Sequence, residues 1–169
     1  YVYQGEELGL WEVEDIPAEL RQDPTFLQSD GKDLGRDGCR VPLPWSADEP
    51  GFGFGPADAD TTVAQPWLPQ PAGWQERAAD VQRVDPTSVF ALYRAALGLR
   101  RSVRGELTWI EAPDGVLRFR RGGDGFECVV NFGAQPVPLP GQAEILLGSG
   151  PILGGLLPTD TAAWLRSAA

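Results

Sequence analysis

Glu6 and Glu7, in the stretch YQGEELGL, are the first residues whose types suggest chemistry, because paired carboxylates serve as acid and nucleophile in glycoside hydrolysis. Adjacent side chains of an extended segment point to opposite faces, so these two do not flank one bond. Capping a helix or pairing with a nearby arginine suits them better. The stretch GRDGCRVPLPW, residues 35–45, offers more. Arg36 and Arg40 carry rigid multi-donor forks that hold a carboxylate or a pair of sugar hydroxyls, Asp37 can accept from hydroxyls, and the Gly and Pro residues fix the loop. The same residues suit a salt-bridge anchor within the loop equally well, and their spacing names no substrate.

Trp45, Phe52, Phe54, Trp67 and Trp74 lie around this loop in a stretch with almost no periodicity. Rings on loops present flat faces to the C–H bonds of sugars, but they also pin a loop onto its scaffold, and the plug is the expectation for each single ring. GFGFG, at 51–55, lacks the strand-to-helix setting and the lysine of a phosphate loop and reads as a flexible, lid-like segment. The chain has no histidine, which removes a histidine triad, a histidine-ligated metal and a histidine base. Acid or base chemistry falls to carboxylates, Tyr, Lys or Cys. Cys39 and Cys128 fit neither a disulfide framework nor a zinc spacing and read as reduced thiols of a cytoplasmic protein. No metal and no cofactor are expected. A net charge of -10 repels phosphate backbones and anionic lipid, so nucleic acid and membrane partners are not expected either. No apolar run approaches the roughly 20 residues of a membrane span.

The elements that must position these residues fall into three regions. Up to about residue 85 the chain is dense in Gly, Pro, Asp and Trp, with a short strand expected over 1–3 and a helix around 17–22. Such a long irregular stretch is usually functional or dependent on a neighbouring scaffold. A clear helix is predicted over 86–102. Asp85 is its N-cap and Pro86 its first residue, and Val89, Phe90, Tyr93, Ala96 and Leu97 form one apolar face. Arg100 and Arg101 suit the negative end of its dipole. From residue 106 the pattern changes to short strands: LTWIEA, VLRFRR, FECVVNFG, AEILLG and TAAWLR, separated by PDG, GGDG, a Pro-rich bend and LPTD. VLRFRR alternates, with Leu117 and Phe119 on one face and Arg118 and Arg120 on the other. The expected product is a small antiparallel β-sandwich with Trp109, Phe119, Phe126, Val129, Val130, Phe132 and Trp164 in its core.

Taken together in chain order, these stretches resemble the α-amylase superfamily of glycoside hydrolases, and in particular its α-glucosidase and oligo-1,6-glucosidase branch. YVYQGEELGL looks like the eighth strand of the catalytic barrel, GRDGCRVPLPW like the Arg-Asp-x-x-Arg-x-Pro-x-x-Trp stretch, and VFALYRAALGLRRS like the last barrel helix. VLRFRRGGDGFECVVNFG is similar to the start of the small β domain that follows. The resemblance implies an α+β chain: residues 1–102 hold the last strand and last helix of a (β/α)8 barrel with a long substrate-side loop, and 103–169 the antiparallel β domain. It explains a start inside an apolar strand with no Met as the carboxy-terminal part of a longer polypeptide. It also implies a retaining α-glucosidase acting on small oligosaccharides, whose catalytic carboxylates lie upstream of this chain, so that the chain alone is inactive. Arg36 is the favoured sugar-binding residue, with Arg40 as second choice. A sugar isomerase or glucosyltransferase of the same superfamily is the near alternative, and a non-catalytic sugar-binding or structural module the distant one. Exposed tryptophans in the β domain would favour the last.

Overall fold

The computed structural model describes residues 1–55, 66–123 and 125–167, so Asp124 of the predicted GGDG turn and part of the irregular stretch lie outside the described residues. The chain forms two compact units, Tyr1–Tyr93 and Arg94–Ala169.

Regular structure is sparse in the first unit. Three-residue 3-10 turns, Glu6–Leu8, Ala18–Leu20 and Asp37–Cys39, alternate with loops, and helices α1 (Pro24–Gln28) and α2 (Ala79–Val84) are short. Residues 1–3 form no strand, because a strand exists only as one side of a hydrogen-bonded ladder and nothing pairs with them among the described residues. The helix expected around 17–22 shrinks to the Ala18–Leu20 turn. What holds this unit together is a small core of Val13, Ile16, Val41, Leu68 and Trp74, with Leu10 and Phe52 packed against it. Trp74 and Phe52 are thus plugs, as expected, while Trp45 and Trp67 stay about half exposed. Helix α3 spans Val89–Arg100 and begins later than predicted. Asp85 makes a local turn instead, its Oδ1 accepting from the Thr87 amide and hydroxyl at 2.8 and 2.7 Å. Ser88 is the cap, its Oγ accepting from the Ala91 amide at 3.1 Å. Asp85 is extended, as an N-cap would be, but residues 86–88 form a turn and the helix begins at Val89.

The second unit contains a five-stranded antiparallel sheet of order β1-β2-β3-β7-β5, formed by β1 (Leu107–Trp109), β2 (Val116–Arg121), β3 (Phe126–Asn131), β5 (Glu144–Gly148) and β7 (Thr161–Arg166). A two-stranded ribbon of β4 (Val137–Pro138) and β6 (Leu156–Leu157) supplies the opposing layer. The five predicted strands are all present. The register sets Val116, Arg118 and Arg120 beside Asn131, Val129 and Glu127, and these beside Thr161, Ala163 and Leu165, on one face. That face, with Val129, Ala163 and Leu165, packs with Leu157 of the ribbon into one buried cluster. The aromatic core expected from the pattern is therefore corrected. Phe126 and Val129 are buried in the central strand β3, but Trp109, on the edge strand β1, and Phe132, just past the end of β3, are 63% and 66% exposed. Asn131 joins the two layers. Its Nδ2 donates to the carbonyls of Gln135, Leu157 and Pro158, and its Oδ1 accepts from the Gly133 amide, so this fully buried amide is satisfied.

Candidate functional site

The loop of residues 35–45 is built around two buried carboxylates. Asp37 is 3% exposed, and its Oδ2 accepts from the backbone amides of Gln22 and Asp23 at 2.7 and 2.9 Å. It is a loop clamp, spent on backbone, and not the acceptor of hydroxyls that its position suggested. Asp23 is 5% exposed and works in three directions: Oδ1 caps α1 through the Thr25 amide at 2.8 Å, while Oδ2 receives the Arg36 amide and Arg40 Nη1, each at 2.9 Å. The Thr25 and Arg36 N–H groups, in that order, hold the Asp23 carboxyl below its usual range against the opposing effect of burial, and Arg40 adds a smaller contribution. Gly35 is required here. Its φ is +65°, and a Cβ would lie 2.6 Å from the Asp23 carboxyl carbon. Gly38 is required for space alone, since a Cβ would sit 2.6 Å from the Val13 carbonyl oxygen.

This arrangement separates the two arginines that sequence alone left together. The Arg40 guanidinium is bound to Asp23, and the loop's salt-bridge anchor is therefore Arg40. Arg36 is exposed, and its guanidinium has no hydrogen bond or ion pair among the described residues. Arg21 reinforces the loop from behind. It is 8% exposed and donates to the carbonyls of Ile16, Leu34 and Glu14, with Phe26 under its guanidinium. Three carbonyl acceptors satisfy a buried cation without a carboxylate.

Beside the loop, a cavity of about 220 Å³ is lined by Tyr3, Glu6, Trp11, Cys39, Leu43 and Trp74 among others. Glu6 accepts from the Tyr3 amide at 2.8 Å and from the Tyr93 hydroxyl at 2.9 Å. These bonds, the amide first, keep its carboxyl below the ordinary value, while burial first and Glu6 second raise the Tyr93 phenol. Glu7 closes on the Gly5 amide at 3.0 Å. Both glutamates thus close on backbone amides at the start of their own turn, and Glu6 also accepts from Tyr93. Cys39 donates its thiol to the Arg36 carbonyl at 3.2 Å. Trp11 meets Trp74 edge to face, and the Arg77 guanidinium lies 5.4 Å from the Trp11 ring centre. Among the described residues, no three metal-ligating side chains converge.

Sequence reasoning missed Asp23 and Gln82. Asp23 had a local signal, an Asp before Pro and Thr, which is how a helix N-cap reads. Gln82 had none: its Nε2 donates to the Leu8 and Arg77 carbonyls and its Oε1 accepts from the Phe90 amide, partners up to 74 residues away.

Comparison with known proteins places this geometry. The profile of the α-amylase catalytic domain matches residues 1–107, and that of a domain of unknown function, DUF3459, matches 104–164. A probable α-glucosidase of Rhizobium meliloti is 38% identical over 137 residues, covering 78% of this chain and 23% of that protein. Oligo-1,6-glucosidase of Parageobacillus thermoglucosidasius is 29% identical over 60% of this chain and 20% of its own length. The solved structure of the α-glucosyl transfer enzyme XgtA superposes over 98% of this chain and 32% of its own, with a TM-score of 0.73 and 35% identity. The chain therefore spans about a fifth to a third of these proteins. From the order of these matches along the chain, it belongs to the α-amylase family, as part of the catalytic domain followed by an antiparallel β domain.

Proposed function

We propose that this chain is the carboxy-terminal part of an α-glucosidase, which in its complete form hydrolyses α-glucosidic bonds of small oligosaccharides with retention. Residues 1–102 close the catalytic domain and 103–169 form the β domain. The observation that carries the reading is the 38% identity to a probable α-glucosidase over 137 residues, 78% of this chain. In a retaining mechanism one carboxylate attacks the anomeric carbon, a second protonates the leaving oxygen, and water then releases the glucosyl group. Those carboxylates belong to the part of the catalytic domain that this chain does not span. What this chain contributes is Arg36, held by its own backbone amide on Asp23 with its guanidinium free for sugar hydroxyls or a partnering carboxylate. Arg40 holds the loop.

Expressed as the complete polypeptide, the enzyme should release p-nitrophenol from p-nitrophenyl α-glucoside and give the α-anomer first. Arg36→Gln should lower kcat/KM by about a hundredfold, as loss of a charge-assisted contact in a desolvated pocket does. Arg40→Gln should cost thermal stability more than kcat/KM. An unchanged kcat/KM in Arg36→Gln would sink the assignment. A second reading, glucosyl transfer to a sugar acceptor, is favoured by the 35% identity to XgtA across nearly the whole chain. Product analysis with excess glucose separates the two, since a transferase makes disaccharide where a hydrolase makes glucose.

A further inference from the structure

Arg118 and Arg120 stand on the sheet face that packs against the β4–β6 ribbon, where strands normally present apolar side chains. The reason is Glu127, which lies directly opposite Arg120 on β3 and is fully buried. Arg118 Nε donates to its Oε1 at 2.5 Å and Arg120 Nε to its Oε2 at 3.1 Å. An arginine commonly meets a carboxylate through two parallel N–H bonds. Here each oxygen takes the Nε of a different arginine, which leaves the terminal amino groups of both guanidinia without a hydrogen bond among the described residues. The two side chains remain 26% and 53% exposed. Two positive charges against one negative leave a positive remainder in a protein whose net charge is -10. The buried carboxylate also fixes both long side chains in advance, so an incoming anion does not have to order them.

We propose that the outer edges of Arg118 and Arg120 form a binding site for a small phosphate-type oxyanion in the carboxy-terminal unit. The two guanidinia are gathered by the two oxygens of one carboxylate, so their outer edges lie side by side where one tetrahedral anion can accept from both. Thr108 lies opposite Arg120 on β1 and adds a hydroxyl on the same face. A phosphate offers more acceptor oxygens and more charge than a carboxylate and so fits two forks better. The site is independent of the α-glucosidase reading.

Inorganic phosphate is the probe, titrated into the full chain at constant ionic strength against chloride, with thermal unfolding and the arginine Nε–H NMR signals as readouts. The expected result is a saturable rise in Tm and saturable shifts of the two Nε–H signals, since a ligand that binds only the folded state stabilises it. Arg120→Gln should weaken phosphate binding about tenfold, equivalent to one lost charge-assisted contact. Arg166→Gln, an exposed arginine on the opposite face, should leave it unchanged. Arg120→Lys keeps a cation beside Glu127 and guards against a folding artefact, and it should also bind more weakly because it lacks the fork. No saturable response in the wild-type chain, or equal responses in Arg120→Gln and Arg166→Gln, overturns the proposal and leaves the two arginines as a structural tie to Glu127.

Discussion

Burial divides the two thiols of this chain. Cys128 lies in β3 between Phe119 and Trp164 in register, is 4% exposed, and has its thiol pushed up to about 11, by burial first and by Glu127 to a lesser degree. The thiolate is the nucleophile, so Cys128 should be inert at pH 8. Cys39 is half-buried at the cavity beside Arg36. Titration of the folded chain with Ellman's reagent should give one reactive thiol, absent in Cys39→Ser, and a second only in denaturant. Two reactive thiols in the native chain would contradict the burial of Cys128. The same contrast of environments separates Arg36 from Arg40. Identical in type and four residues apart, they are ranked by the family resemblance, Arg36 first and Arg40 second, but only the carboxylate of Asp23 ties Arg40 to structure.

Among the elements, the arginine loop depends on Asp23 as a helix depends on its cap. Its carboxyl is held below the ordinary value of about 3.9, chiefly by the Thr25 and Arg36 amides. A depressed folded-state pKa means that this stabilisation is fully present above the unfolded value and is lost as pH falls through the lower, folded one. Amide exchange at Thr25 and Arg36 should therefore accelerate as pH is lowered from about 4 towards 2, after correction for intrinsic rates. Asp23→Asn should show reduced protection already at pH 6 and little further dependence in that window. Parallel loss of protection in both proteins would assign the effect elsewhere. In the β domain the strands follow from alternation and turn residues, and every predicted strand formed.

For the whole molecule, the relevant fact is that the chain spans 23% of the probable α-glucosidase it matches. No helix among the described residues is long and apolar enough to cross a membrane. Incubated alone with maltose, isomaltose or p-nitrophenyl α-glucoside, the chain should release no glucose above background; turnover by the chain itself would overturn the placement of the catalytic carboxylates outside it. By itself the sequence determined the family, the helix and the β strands, because each rests on patterns that are local or ordered along the chain: alternation, helical spacing, turn residues and the arginine stretch. It could not determine which sheet face packs against the β4–β6 ribbon. The Arg118 and Arg120 face reads as polar until Glu127, nine and seven residues away, ties both arginines down and the β4–β6 ribbon covers its neighbours. Nor could it decide that residues 1–3 form no strand, since strandedness belongs to a pair. The roles of Asp37, Arg40, Gln82 and Tyr93 were likewise settled only by tertiary structure, for they are defined by partners distant in sequence, and spacing along a chain carries no record of such contacts.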